Sequence, residues 1–160
     1  MPVTLNSWIL AFHLLSAAAL VGSMTLFSIL IVANWRADRP ATIASFMSVA
    51  KIGNVLIGIG TAGTIVFGIW LALSVDGYAI WDGWVLAAIV LWAIATELGR
   101  RAGTAYTEAG NRAEELAKAG NEPSPELARS FGPSPAFRFH AASTILILLI
   151  LIDMIWKPGA

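Results

Sequence analysis

Four long apolar runs set the limits on what this chain can become. They extend from about Trp8 to Asn34, Gly53 to Leu73, Trp81 to Leu98 and Pro135 to Trp156. A membrane-crossing helix needs about 20 mainly apolar residues. In lipid, every backbone N–H and C=O must be satisfied within the segment, which selects helices for runs of this kind. Charge supports the same reading. Only 12% of residues are charged, against about 25% in soluble domains, too few to coat a soluble fold of this size. The expectation is an all-α polytopic membrane protein: one transmembrane domain over residues 1–160, built as a four-helix bundle.

The boundaries follow from local chemistry. Trp35-Arg36-Ala37-Asp38-Arg39-Pro40 ends the first span with an interfacial aromatic, charge and a proline. The second apolar segment stays compatible with helix from about Thr42 to Leu73, longer than a bilayer core. Its Thr42–Lys51 part is expected in or beyond the interface. Ser134-Pro135 supplies an N-cap and an N1 proline for the last span. Lys157-Pro158-Gly159 stops it. The N-terminal run lacks a positive flank and is too long for a signal sequence, so it reads as a retained span.

Lys and Arg accumulate in cytoplasmic loops. One side of the bundle would carry Arg36, Arg39, Lys51, Arg100, Arg101, Arg112, Lys118, Arg129 and Arg138, and the other only Lys157. The nine-residue side is therefore expected in the cytoplasm, with both termini outside. Trp8, Trp70, Trp81, Trp84 and Trp156 then gather near the outer interface, where indoles prefer to lie. The outer hairpin has Asp76 and Asp82 and no positive charge. Residues 100–134 form the one extended polar loop, on the cytoplasmic side. Ala102–Ala119 reads as a short charged helix stopped by Gly120-Asn121, and Ser124-Pro125-Glu126 as the start of another turn. Charges of both signs make this loop a solvated connector; the alternative is a docking surface for a partner.

Helices in lipid associate by close packing, so small residues mark their interfaces. Gly60, Thr64 and Gly68 recur at intervals of four in the second span, and Ala18, Gly22 and Thr25 share a side of the first. These sets predict close packing of the first two helices. A homodimer seam is the alternative use.

Ionisable groups within a span are costly and therefore informative. His13, Glu97, His140 and Asp153 qualify. An imidazole at the depth of His13 can ligate haem b or a metal, or carry a proton. The plainer reading is a neutral histidine bonded to a carbonyl or side chain of another span. Asp153 lies in the same leaflet and is a prospective partner of His13; a carboxylate on one ring nitrogen would make the other a better ligand. Lys157 follows Asp153 at i+4 and is the competing partner. His140 is at the opposite end, so the two histidines cannot ligate one haem. Glu97 is expected to pair with Arg101.

No cysteine is present, which excludes disulfides and thiol chemistry. No Ser/His/Asp set or phosphate loop appears, so no catalytic residues are assigned and the chain reads as non-enzymatic. With a net charge of zero and no basic patch, nucleic acid is not an expected partner.

WILAFHLLSAAALVGS (Trp8–Ser23), KIGN (Lys51–Asn54), FGIWLAL (Phe67–Leu73), WDGWVL (Trp81–Leu86) and LIDMIWKPG (Leu151–Gly159) together resemble the integral membrane family called domain of unknown function 2269. The resemblance runs in order over nearly the whole chain. It implies four spans and a bacterial cytoplasmic (inner) membrane, and no established activity. More distantly, the first span resembles those of membrane-bound four-helix protoporphyrinogen oxidases and copper-resistance D proteins. Their early transmembrane histidine, placed like His13, is linked to haem or copper handling. The oxidases also use a lysine a few residues past a third-helix tryptophan, whereas Val85-Leu86-Ala87-Ala88-Ile89 follows Trp84 here. Only a single-histidine role carries over.

Three functions follow as expectations. The first is a small membrane protein that holds haem b or a metal through His13 as an accessory subunit of a larger complex. The second is a structural or assembly subunit, or a homo-oligomer, without cofactor. The third is a small proton-coupled transporter using His13 and Asp153.

Overall fold

The computed structural model describes residues 4–75 and 77–158; Asp76, expected in the outer hairpin, and Gly159, expected in the final stop, lie outside them. Five helices follow in order: α1 (Leu5–Trp35), α2 (Pro40–Ser74), α3 (Gly83–Lys118), α4 (Pro125–Arg129) and α5 (Pro135–Trp156). Four of them, all except α4, are long and apolar enough to cross a membrane. No strand occurs among the described residues.

Each start has a local cause. Thr4 caps α1 through its side chain, and Ser7 returns the bond to the Thr4 backbone, a reciprocal capping box. Ser134 accepts from the Phe137 N–H ahead of Pro135 at the first position of α5. The start of α2 has Pro40 but no side-chain cap from Arg39. Asn121, far along the chain, fills that role by accepting from the Ala41 N–H at 2.8 Å. Asn121 stands at φ 58 beside Gly120 at φ 139, a left-handed turn that asparagine and glycine tolerate better than other residues.

The third helix departs from expectation. No break separates the apolar run from the charged stretch; one helix of 36 residues spans both. At 1.5 Å per residue it is about 54 Å long, against about 30 Å of hydrocarbon. Charge does not end a helix, and here it supports one. Glu97 pairs with Arg100 at 2.8 Å and with Arg101 at 2.7 Å, at i+3 and i+4. The 35-residue α2 is about 52 Å long by the same rise, so α2 and α3 both exceed the hydrocarbon thickness, and both extend past their apolar runs at the same, basic end. There Lys51 reaches Glu114 at 3.0 Å. The Lys51 ammonium holds the Glu114 carboxyl below its ordinary range.

Residues 119–134 are a folded cap rather than a solvated connector. Leu127 and Phe131 are 3% and 1% exposed. Phe131 stacks on Tyr106 of α3, with centroids 5.4 Å apart and planes 6° from parallel. They join Ile31, Ile43, Ala102 and Ala113 in one buried cluster. Burial pushes the Tyr106 hydroxyl, in the part of α3 beyond the apolar run, up to about 12. The backbone adds to the closure, since the Ser124 N–H donates to the Asp38 carbonyl.

Within the apolar region α1 packs on α2, α3 on α5, and α2 also on α3. The α1–α2 seam is tight at Gly60. A Cβ there would lie 2.8 Å from the Leu20 nitrogen and 2.9 Å from the Ser16 carbonyl oxygen, both backbone atoms. Across the α3–α5 seam, the buried Ser143 hydroxyl donates to the Ala95 carbonyl at 2.8 Å. Gly22 is not part of the α1–α2 seam; nothing in the chain lies within 4 Å of where its Cβ would be.

Candidate functional site: a clasped histidine and a polar cluster at one end of the bundle

The N-terminus of α1, the α2–α3 connection and the end of α5 meet at the end opposite the cap. The Asn6 side chain donates to the Ser74 carbonyl, and Lys157 bonds to the Tyr78 hydroxyl. The sequence-derived candidates His13, Asp153 and Lys157 all belong to this half of the molecule.

His13 lies on the face of α1 that meets α2. Its Nδ1 is 3.0 Å from the Thr64 carbonyl oxygen. A carbonyl oxygen only accepts, so Nδ1 carries the proton. In the neutral ring this leaves Nε2 as a lone pair, the tautomer seen when a ligand histidine is oriented by a backbone carbonyl. Gly68, one turn beyond Thr64, makes room: a Cβ there would meet the His13 Cε1 at 3.0 Å. The recurrence of Gly60, Thr64 and Gly68 along α2 is thus the track on which Ser16, Leu20 and His13 of α1 rest. Phe12 stacks on Phe67 at 5.4 Å beside it.

Asp153 does not meet Lys157 in an ion pair among the described residues. Lys157 adopts a left-handed backbone, φ 41, as the C-cap of α5. That turn carries its ammonium over the Tyr78 ring, 4.3 Å from the centroid, and 5.6 Å from that of Trp84. Tyr78 and Trp84 are themselves edge-to-face at 5.3 Å. Asp153 keeps one buried carboxylate oxygen, Oδ2, without a hydrogen-bond partner, and Trp84 keeps its buried Nε1 in the same condition. His13 is taken by Thr64 rather than by Asp153. Tyr78 and Trp84 carried no signal as Lys157 partners, because only the left-handed cap turns the lysine toward them.

His140 belongs elsewhere. Its Nε2 is 2.9 Å from the Ser28 hydroxyl, and Ser28 spends its own proton on the Met24 carbonyl at 2.9 Å. Nε2 of His140 is therefore the donor. Ser28 lies 15 residues beyond His13, about 22 Å along α1. The two imidazoles serve different ends of the molecule. Among the described residues no group of three or more His, Cys, Asp or Glu side chains is arranged to hold a metal.

No curated protein and no solved structure matches the chain. A family model does, described as predicted integral membrane protein (DUF2269), and it matches residues 7–158. With four apolar helices inside that match, the chain is a multi-pass integral membrane protein and belongs to this family of unknown function.

Proposed function

We propose that the protein is a non-enzymatic accessory subunit of a larger membrane assembly, and that His13 offers Nε2 to a haem iron or metal completed by groups outside the chain. The observation that carries this reading is the Nδ1–H bond to the Thr64 carbonyl. It fixes ring orientation and leaves the other nitrogen basic. The bacterial cytoplasmic membrane, with the basic end in the cytoplasm, is part of the same reading and rests on the nine-to-one division of Lys and Arg. Protein purified from its native membrane in mild detergent is expected to show a Soret band that is lost in His13→Ala. A colourless, metal-free wild-type preparation that retains its partner subunits would refute the ligand role.

A second reading has its own support. Gly68 and the Thr64 carbonyl enclose His13 so closely that the imidazole works as a clasp between α1 and α2. In that case the subunit is purely structural. His13→Asn, which retains a donor, would then preserve stability and assembly, and His13→Leu would lower both. A proton-coupled transport role ranks below both, since His13 and Asp153 do not form a relay within the described contacts.

A further inference from the structure

At the basic end, a groove of about 460 Å³ opens between the end of α1 and the cap. That volume falls within the range of small-molecule sites, roughly 300–1,000 Å³. Ala37, Pro123, Pro125 and Ala128 form its walls, and Arg39, Arg129 and Asp38 supply its charge. Neither guanidinium takes part in an ion pair among the described residues, whose ion pairs use Lys51, Arg100 and Arg101. Arg39 gives one N–H to the Asn121 carbonyl at 3.3 Å, and the rest of its donors are uncommitted among the described contacts. Two permanent cations against one carboxylate favour an anion, and guanidinium matches phosphate oxygens in geometry as well as charge.

The groove's position selects the source of that phosphate. Trp35, half exposed, lines its edge, and the indole is seated on Gly132, where a Cβ would approach Nε1 to 2.7 Å. A tryptophan at the end of a membrane span marks headgroup depth. Below it on α1, Ile29 and Val32 are exposed at intervals of three, so an apolar stripe on one helix face leads from the hydrocarbon to the two arginines. A soluble phosphate would use the cations and leave that stripe idle. A lipid uses both. Basic pockets at the ends of membrane helices are suited to anionic headgroups.

We propose that this groove holds the phosphodiester of an anionic membrane phospholipid between Arg39 and Arg129, with an acyl chain along Ile29, Val32 and Trp35. The site is at the opposite end from His13 and does not depend on the haem or metal reading.

The test is competitive lipid retention, measured by native mass spectrometry on protein taken from mixed micelles containing phosphatidylglycerol and phosphatidylcholine. Wild type is expected to retain phosphatidylglycerol preferentially. In Arg39→Gln/Arg129→Gln the preference should fall roughly ten-fold or more. Arg112→Gln/Arg138→Gln, with the same change in net charge at exposed positions away from the groove, should keep it. Arg129→Glu alone should lose it too, and leaves the Arg39–Asn121 bond in place. Three outcomes would overturn the proposal: no preference in wild type, equal loss in both double variants, or displacement of the lipid by millimolar inorganic phosphate. The last would mark a site for soluble anions.

Discussion

Phe131→Ala should open the cap without unfolding the membrane helices. The ring is 1% exposed and stacked on Tyr106. Truncating a buried phenylalanine costs about 3–5 kcal/mol, combining lost burial with the cavity left behind. The cap has little to offset that loss. Its helix has five residues, and among the residues between α3 and α5 its cluster draws chiefly on Leu127 and Phe131. A penalty of about 3–5 kcal/mol raises the open fraction by roughly two to four orders of magnitude. Hydrogen exchange over residues 124–134 should accelerate by that factor, and trypsin should cleave after Arg129 sooner, with exchange in the apolar half of α1 and α2 unchanged. Phe137→Ala, at a position 39% exposed, should leave both signals near wild type. Equal exchange in wild type and Phe131→Ala would refute the claim that Phe131 holds the cap. Loss of protection throughout α1 and α2 would show that the cap and bundle unfold together.

Other substitutions test the seams. Gly60→Ala forces a Cβ against the Leu20 and Ser16 backbone and should destabilise by about 1–3 kcal/mol in a detergent unfolding titration. Gly58→Ala, with nothing within 4 Å, should be neutral or stabilising. Ser143→Ala removes the bond to the Ala95 carbonyl and should cost only about 0.6 kcal/mol, the average for such bonds in lipid. Lys157→Met should free Tyr78 and Trp84, shifting Trp emission measured against a Trp84→Phe background; an unshifted spectrum would count against that packing.

Much of the fold was legible in the sequence, because the bilayer forces long apolar runs to be helices. The spans, the Ser134-Pro135 start and the Glu97–Arg101 pair needed nothing else. Two features escaped. The first is the continuity of α3, to which the pairs of Glu97 with both arginines add local support at i+3 and i+4. The second, the cap, depends on Phe131 meeting Tyr106, a contact between distant segments that local pattern does not encode. At the candidate site, the sequence marked His13 by its cost in lipid. It could not say that Thr64 would contribute a main-chain carbonyl, since the backbone at every position looks the same in sequence. Asp153 and Lys157 were readable as neighbours one turn apart. The left-handed backbone at Lys157 then directs the ammonium to the aromatic pair.

The leaflet assigned to His13, and to the proposed headgroup groove, depends on which side of the membrane the basic end faces. Because the chain has no cysteine, single cysteines at Ala119 and Pro158 report on the two ends separately. In intact cells, a membrane-impermeant maleimide is expected to label Pro158→Cys and to reach Ala119→Cys only after lysis. Labelling of Ala119→Cys in intact cells with Pro158→Cys protected would contradict the account.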